Sequence, residues 1–140
     1  MKLHLGCGNK NFGKGWIHID GGDFPHLDSH DITKLDFNNV EVIYACHVLE
    51  YFNKEDALNV LKEWFRVLKP GGVLRVSVPD FEALIRVYKL SPYRLEHVLG
   101  PLFGEIKMGN EWIYHRTVYD TFCLLNILYE AGFSLSLIHI

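Results

Sequence analysis

A chain of 140 residues, 49% apolar and 14% aromatic, holds material for one domain with a single buried core and is too apolar for disorder. A net charge of -3 without any Lys/Arg cluster argues against nucleic acid as the main partner. Cys7, Cys46 and Cys123 are widely spaced with no Cys-x-x-Cys pair, Met1-Lys2 leads straight into a strand, and no apolar run approaches the roughly twenty residues of a membrane span. The expectation is therefore one domain over residues 1–140, cytoplasmic, without a disulfide framework, a signal peptide or a membrane partner.

Leu3-His4-Leu5 reads as a strand that runs into the turn Gly6-Cys7-Gly8, and Trp16-Ile17-His18-Ile19 as a second strand that ends on Asp20. A turn without side chains lets a ligand approach the backbone, and an acid at the next strand's end can take the two hydroxyls of a ribose. The dinucleotide fingerprint is not met. Its third glycine would stand at Asn11, and residues 9–15 leave room for a turn of helix at most, not for the helix that faces a pyrophosphate. A ligand with a ribose and no phosphate, such as S-adenosylmethionine, needs no such helix.

Residues 21–29 read as a loop broken by Gly21-Gly22 and Pro25, and 30–32 as a short strand end or turn. Residues 40–46 have the β-branched and aromatic content of a buried strand. Asn53 reads as the N-cap of a helix over 54–69, with Glu55 and Asp56 in its first turn. Ala57, Leu58, Leu61, Trp64, Phe65 and Leu68 form its apolar face, and Pro70-Gly71-Gly72 is expected to stop it. A strand over 73–78 follows, then a helix over 81–88 opened by Pro79-Asp80. Residues 90–116 read as irregular, which in a compact domain marks a lid or a substrate wall. A last helix over 120–131 stops at Gly132, and 133–140 reads as a final strand. Strands alternating with helices give an α/β class with a mostly parallel, Rossmann-like sheet.

The strings Gly6-Cys7-Gly8, Asp20, His30-Asp31-Ile32, His47-Val48-Leu49-Glu50-Tyr51, Arg66-Val67-Leu68-Lys69-Pro70-Gly71-Gly72 and Ala131-Gly132-Phe133 follow one another in this order. In that order the chain resembles a class I S-adenosylmethionine-dependent methyltransferase, of the small subgroup with a Leu-x-Leu-Gly-Cys-Gly start and a short first crossover. The resemblance implies that the methionine part of S-adenosylmethionine lies over Gly6, Cys7 and Gly8. It also implies that Asp20 holds the ribose, that Asp31 and Ile32 flank the adenine, and that Cys46 and His47 line the methyl side. His4 stands where the family carries an acid, and Lys10 where it carries a third glycine. The family's seven-stranded sheet closes with a reversed hairpin, and this sequence has material for one of its two strands. Leu135, Leu137, Ile138 and Ile140 would then form an open edge suited to a homodimer.

Methyl transfer asks mainly for position, with the attacking atom in line and about 3–3.5 Å from the methyl carbon. A base is needed when the acceptor is a hydroxyl or a protonated amine. His115 ranks first as that base, ahead of Asp80 and Glu50, and each has a bland rival. His115 can cap the last helix or bond a loop carbonyl, Asp80 can cap a helix, and Glu50 can cap or solvate a turn. Asp20 in turn can cap the Gly21-Gly22 turn. Tyr93, Phe103, Trp112, Tyr114 and Tyr119 are candidates for an aromatic acceptor wall. The string His26-x-Asp28-x-His30-Asp31 has metal-ligand chemistry but reads as solvated loop residues, so no metal is assigned. The expectation is a methyltransferase acting on a small-molecule or sugar-like acceptor. The alternatives are a non-catalytic binder of the cofactor or of its demethylated product S-adenosylhomocysteine, and an NAD-type oxidoreductase.

Overall fold

The computed structural model describes residues 1–134. Four parallel strands, β1 (Lys2–Leu5), β2 (Trp16–Ile19), β3 (Val40–Cys46) and β4 (Leu68–Ser77), lie in the order β2-β1-β3-β4. The sheet reverses direction of growth between β1 and β3, so its central strands end where the Gly6-Cys7-Gly8 turn begins, at the crevice where open α/β sheets take ligands. The chain later forms α1 (Lys54–Val67), α2 (Phe81–Leu90), α3 (Glu96–Phe103), a two-stranded hairpin of β5 (Ile106–Met108) and β6 (Glu111–Ile113), and α4 (Thr121–Ala131).

Alternation along the strands divides the sheet into two unlike faces. Leu3, Leu5, Ile19, Ile43 and Ala45 are fully buried in one cluster with Ala57, Val60, Leu61, Trp64 and Val67 of α1. The other face carries His4, His18 and Tyr44 in cross-strand register, and Phe12 closes over it. The Phe12 ring stacks on His4 at 3.9 Å and meets Tyr44 edge-on at 5.3 Å. Residues 6–15 and 20–39 contain no helix, as the short first crossover and the loop over 21–29 predicted, and strand and helix alternate only from β3 onward. A bent segment with one aromatic side chain takes the place of the first crossover helix.

Asn53 caps α1 as expected, its side chain accepting from Asp56 N at 2.9 Å. The helix ends at Val67, before the Pro-Gly-Gly stop, and Leu68 to Gly72 already belong to β4, with an irregularity in its pairing and a left-handed Gly71. Lys69 precedes a proline and is driven out of the helical region, while Leu68 pairs with Val40 and pulls the chain into the sheet. Val60 and Val67 therefore replace Phe65 and Leu68 on the buried face. Phe65 turns instead towards the C-terminal end of α4, where it meets Phe133 edge-on at 5.1 Å.

Residues 90–116 hold more structure than their scattered Gly and Pro implied. Pro101 sits inside α3, and Gly104 ends that helix in the left-handed conformation. The expected strand over 133–140, and the dimer edge built on Leu135, Leu137, Ile138 and Ile140, fall almost entirely on residues 135–140, outside the described residues. No described helix is long and apolar enough to cross a membrane.

Candidate cofactor and acceptor site

Gly6 and Gly8 both have positive φ, +63° and +53°, and each is needed for a different reason. A Cβ on Gly6 would overlap the Val48 side chain, so the turn is pressed against the segment that follows β3. A Cβ on Gly8 would meet nothing within 4 Å, so the backbone there borders open space. Beneath the turn lies Asp20, only 6% exposed. Its Oδ2 accepts from Gly8 N at 2.8 Å and its Oδ1 from Gly22 N at 2.7 Å. The second bond is the turn cap foreseen as its bland role. Each carboxylate oxygen retains a lone pair, so Asp20 can still accept from two ribose hydroxyls. The open backbone at Gly8 and this half-used carboxylate fit S-adenosylmethionine. The hairpin closes over the same place: a Cβ on Gly21 would lie 2.7 Å from the Met108 sulfur.

Asp31 is exposed and bonded to Thr33, through N at 2.8 Å and Oγ1 at 2.6 Å. The Thr33 hydroxyl and amide hold its carboxyl below the usual range. Ile32 packs against the core, and its carbonyl accepts from Trp64 Nε1 at 2.9 Å, which ties this loop to α1. Cys7 is buried beside His26, its thiol pushed up to about 11 by burial and then by Asp20, so it is no thiolate nucleophile. Cys46 accepts from Ser77 Oγ at 3.0 Å. The string from His26 to Asp31 does not converge. Asp28 accepts from His18 N at 2.8 Å, and His30 Nδ1 donates to the Asp20 carbonyl at 3.2 Å.

After β3, residues 47–51 turn through a short 3-10 segment, Leu49–Tyr51. Glu50 points inward, 1% exposed, with Oε1 3.0 Å from His47 Nδ1 and 3.7 Å from His115 Nε2. Its Oε2 has no partner among the described residues. The Glu50 carbonyl accepts from Arg116 N at 2.8 Å and from Thr117 N at 3.4 Å, so this residue also anchors the end of the 90–116 segment. Tyr51 Oη donates to the Gly104 carbonyl at 2.7 Å, and the Tyr51 ring meets His115 edge-on at 4.7 Å. Burial first, and then the charge of Glu50, push the Tyr119 hydroxyl up to about 12 and raise Tyr51 as well.

Of the three residues proposed from sequence for acid–base work, Glu50 and His115 come together and Asp80 stands apart. The His115 side chain is 7% exposed, and its Nδ1 donates to the Pro101 carbonyl at 2.9 Å, the loop-carbonyl role foreseen as its rival. Asp80 caps α2, accepting from Glu82 N at 3.1 Å. The aromatic wall does not assemble as one surface. Tyr119 is in the core, Tyr93 packs edge-on against Tyr88, and Trp112 lies exposed near the Lys107 ammonium. Sequence reasoning missed Val48 and Met108, which press on Gly6 and Gly21. Neither carries polar chemistry, and only the glycines opposite them left a trace in the sequence.

Comparison with known proteins bears on the family and the fold. Residues 18–76 match the family model described as "Methyltransferase domain". The demethylmenaquinone methyltransferase of Staphylococcus haemolyticus is 34% identical over 114 residues, covering 78% of this chain and 48% of the relative. The chain thus spans about half the length of the curated relatives it matches. Among solved structures, a methyltransferase of Methanosarcina mazei superimposes with a TM-score of 0.64 at 18% identity, covering 97% of this chain and 80% of that one. One from Clostridium acetobutylicum gives 0.63 at 17%, covering 93% and 71%. With its ordered motifs, parallel sheet and open glycine turn above an acid, the chain belongs to the class I S-adenosylmethionine-dependent methyltransferase family.

Proposed function

We propose that this chain transfers a methyl group from S-adenosylmethionine to a small-molecule acceptor. The observation that carries the reading is the Gly8 turn, open to a ligand on one side and bonded to the Asp20 carboxylate on the other. Gly6, Cys7 and Gly8 would cradle the methionine part, Asp20 would take the ribose hydroxyls, and Asp31 and Ile32 would flank the adenine. Cys46 and His47 would face the methyl group. When bound, the cofactor supplies a sulfonium methyl that is already a good electrophile, and the chain's part is to orient both reactants and exclude water. The lid formed by residues 90–116 would supply the acceptor side, with Met108 closing over Gly21 and His115 seated at Glu50. The relatives' named substrate, demethylmenaquinone, supports an aromatic ring acceptor; a sugar-like one is the second candidate within the same class.

Calorimetric titration with S-adenosylmethionine, S-adenosylhomocysteine and NAD tests the cofactor half. Micromolar binding of the first two and none of NAD is expected. Asp20→Ala should weaken S-adenosylmethionine binding by more than tenfold, in line with about 1.5–3 kcal/mol for hydrogen bonds to a charged group. An unaltered affinity refutes the ribose assignment. Transfer of label from methyl-tritiated S-adenosylmethionine to a reduced naphthoquinone or a hydroxylated sugar tests the acceptor half.

A further inference from the structure

We infer that His47 is the proton acceptor of the transfer and that the buried Glu50 is its positioning residue, an assignment that rests on the methyltransferase reading above. Two histidines flank Glu50, and they are not equivalent. His115 is enclosed at 7% exposure, and its Nδ1 proton is committed to the Pro101 carbonyl. Its Nε2 faces inward to Glu50, so neither ring nitrogen can reach an acceptor without the lid unfolding. His47 is the reverse. Its side chain is 58% exposed, its Nδ1 lies 3.0 Å from Glu50 Oε1, and its Nε2 has no partner among the described residues.

A carboxylate accepts only, so the short contact requires the proton on Nδ1 and leaves the Nε2 lone pair free. His47 also holds a φ of +56°, a conformation that non-glycine residues adopt rarely and that gathers at functional positions. Its amide donates to the Ser77 carbonyl at 3.0 Å, which fixes it between the ends of β3 and β4, one residue before the Val48 that presses on Gly6. The ring is therefore mounted at the crevice, turned by a buried carboxylate, with its basic nitrogen outward.

The second observation is the unpartnered Oε2 of Glu50. A fully buried carboxylate with a free oxygen is a poor structural element, because an apolar residue of similar volume would do the packing without desolvating a charge. Its charge has a use if an imidazolium forms beside it. In the step, an electron pair of the acceptor, a lone pair on oxygen or nitrogen or the ring pair of a reduced quinone, bonds to the methyl carbon. The carbon–sulfur bond breaks, its pair staying on sulfur, which becomes a neutral thioether. The acceptor's proton passes to His47 Nε2, and Glu50 stabilises the resulting cation.

Two measurements test this on the full chain. Nitrogen-15 spectra of histidine-labelled protein should show His47 as the Nδ1-protonated tautomer, its signals assigned by their loss in His47→Gln. Glu50→Met keeps the volume and should fold, yet shift His47 towards the Nε2-protonated form. With methyl-tritiated S-adenosylmethionine and a reduced naphthoquinone, Glu50→Met should lower kcat at least tenfold while KM for S-adenosylmethionine stays within about twofold. Glu50→Gln, which keeps an acceptor oxygen, should restore the tautomer and only part of kcat. An Nε2-protonated His47 in the parent protein, an unchanged tautomer in Glu50→Met, or an unchanged kcat would each overturn the assignment. Absence of S-adenosylmethionine binding by the parent protein would instead overturn the methyltransferase reading, and the tautomer result would stand independently of it.

Discussion

Gly6→Ala is the most direct test of how the turn is built. The new methyl group would overlap Val48, which is 5% exposed, and would sit on a residue with φ +63°. The left-handed backbone costs an alanine about 1–2 kcal/mol, and an extra methyl forced into a packed contact about 1–3 kcal/mol. A total near 3 kcal/mol is expected, a large share of the stability of a small domain. Val48→Ala alone removes two buried carbons and leaves a small cavity, for about 2 kcal/mol. The double variant should fall short of the sum by about 1–2 kcal/mol, because the alanine methyl enters the space that Val48 vacates, while the backbone strain remains. Urea denaturation of the four proteins measures this cycle. Strict additivity would refute the contact, and a neutral Gly6→Ala would refute both the contact and the strained backbone. Cofactor affinity should drop in Gly6→Ala for the same reason, since the turn cannot keep its shape.

His4 is 3% exposed and its imidazole is pushed down to about 4, by burial first and then by His18 and His26. Its folded value lies below its unfolded 6.5, so the neutral ring's contribution is intact above pH 6.5 and is lost as the pH falls towards 4, up to roughly 3 kcal/mol. His4→Leu should flatten that part of the stability profile; an unchanged slope would show that another group titrates there. Asn53→Ala removes the cap that Asp56 N requires and should cost about 1 kcal/mol in the same assay without altering cofactor affinity.

The parts of the molecule that could be read from the sequence are those in which one residue type has one physical use. The strand over Val40–Cys46, the Asn53 cap and the Asp20 strand end were legible because β-branched runs, short polar caps and a terminal acid each leave a local pattern. The end of α1 was not. Helical spacing continues through Leu68, and besides Pro70 it is the pairing of Leu68 with Val40, distant in the chain, that ends the helix at Val67. The proposed acid–base site was half legible for a related reason. Glu50 and His115 could be picked as chemistry-bearing residues, but which histidine turns its free nitrogen outward depends on the Pro101 carbonyl. Residue identity does not encode that choice; the fold of residues 90–116 makes it.

That dependence can be broken at Gly104. This glycine ends α3 with φ +54°, and the His115 ring lies where its Cβ would be. Gly104→Ala must therefore move His115, and with it the bond to the Pro101 carbonyl and the edge contact with Tyr51. A hydrogen bond of about 1 kcal/mol, an aromatic contact of about 0.5–1.5 kcal/mol and left-handed strain of about 1–2 kcal/mol make the local loss near 3 kcal/mol. Because Arg116 N and Thr117 N are held by the Glu50 carbonyl, hydrogen exchange at these two amides reads the loss directly. Their exchange should quicken about a hundredfold, with core amides such as Ile43 slowed or quickened far less. Adding His115→Ala removes the overlap and should return part of the protection. If Gly104→Ala leaves the two amides as protected as before, His115 is not the wedge that seats the lid on Glu50. If protection falls but the His47 tautomer does not change, the lid and the proton acceptor share Glu50 without depending on each other.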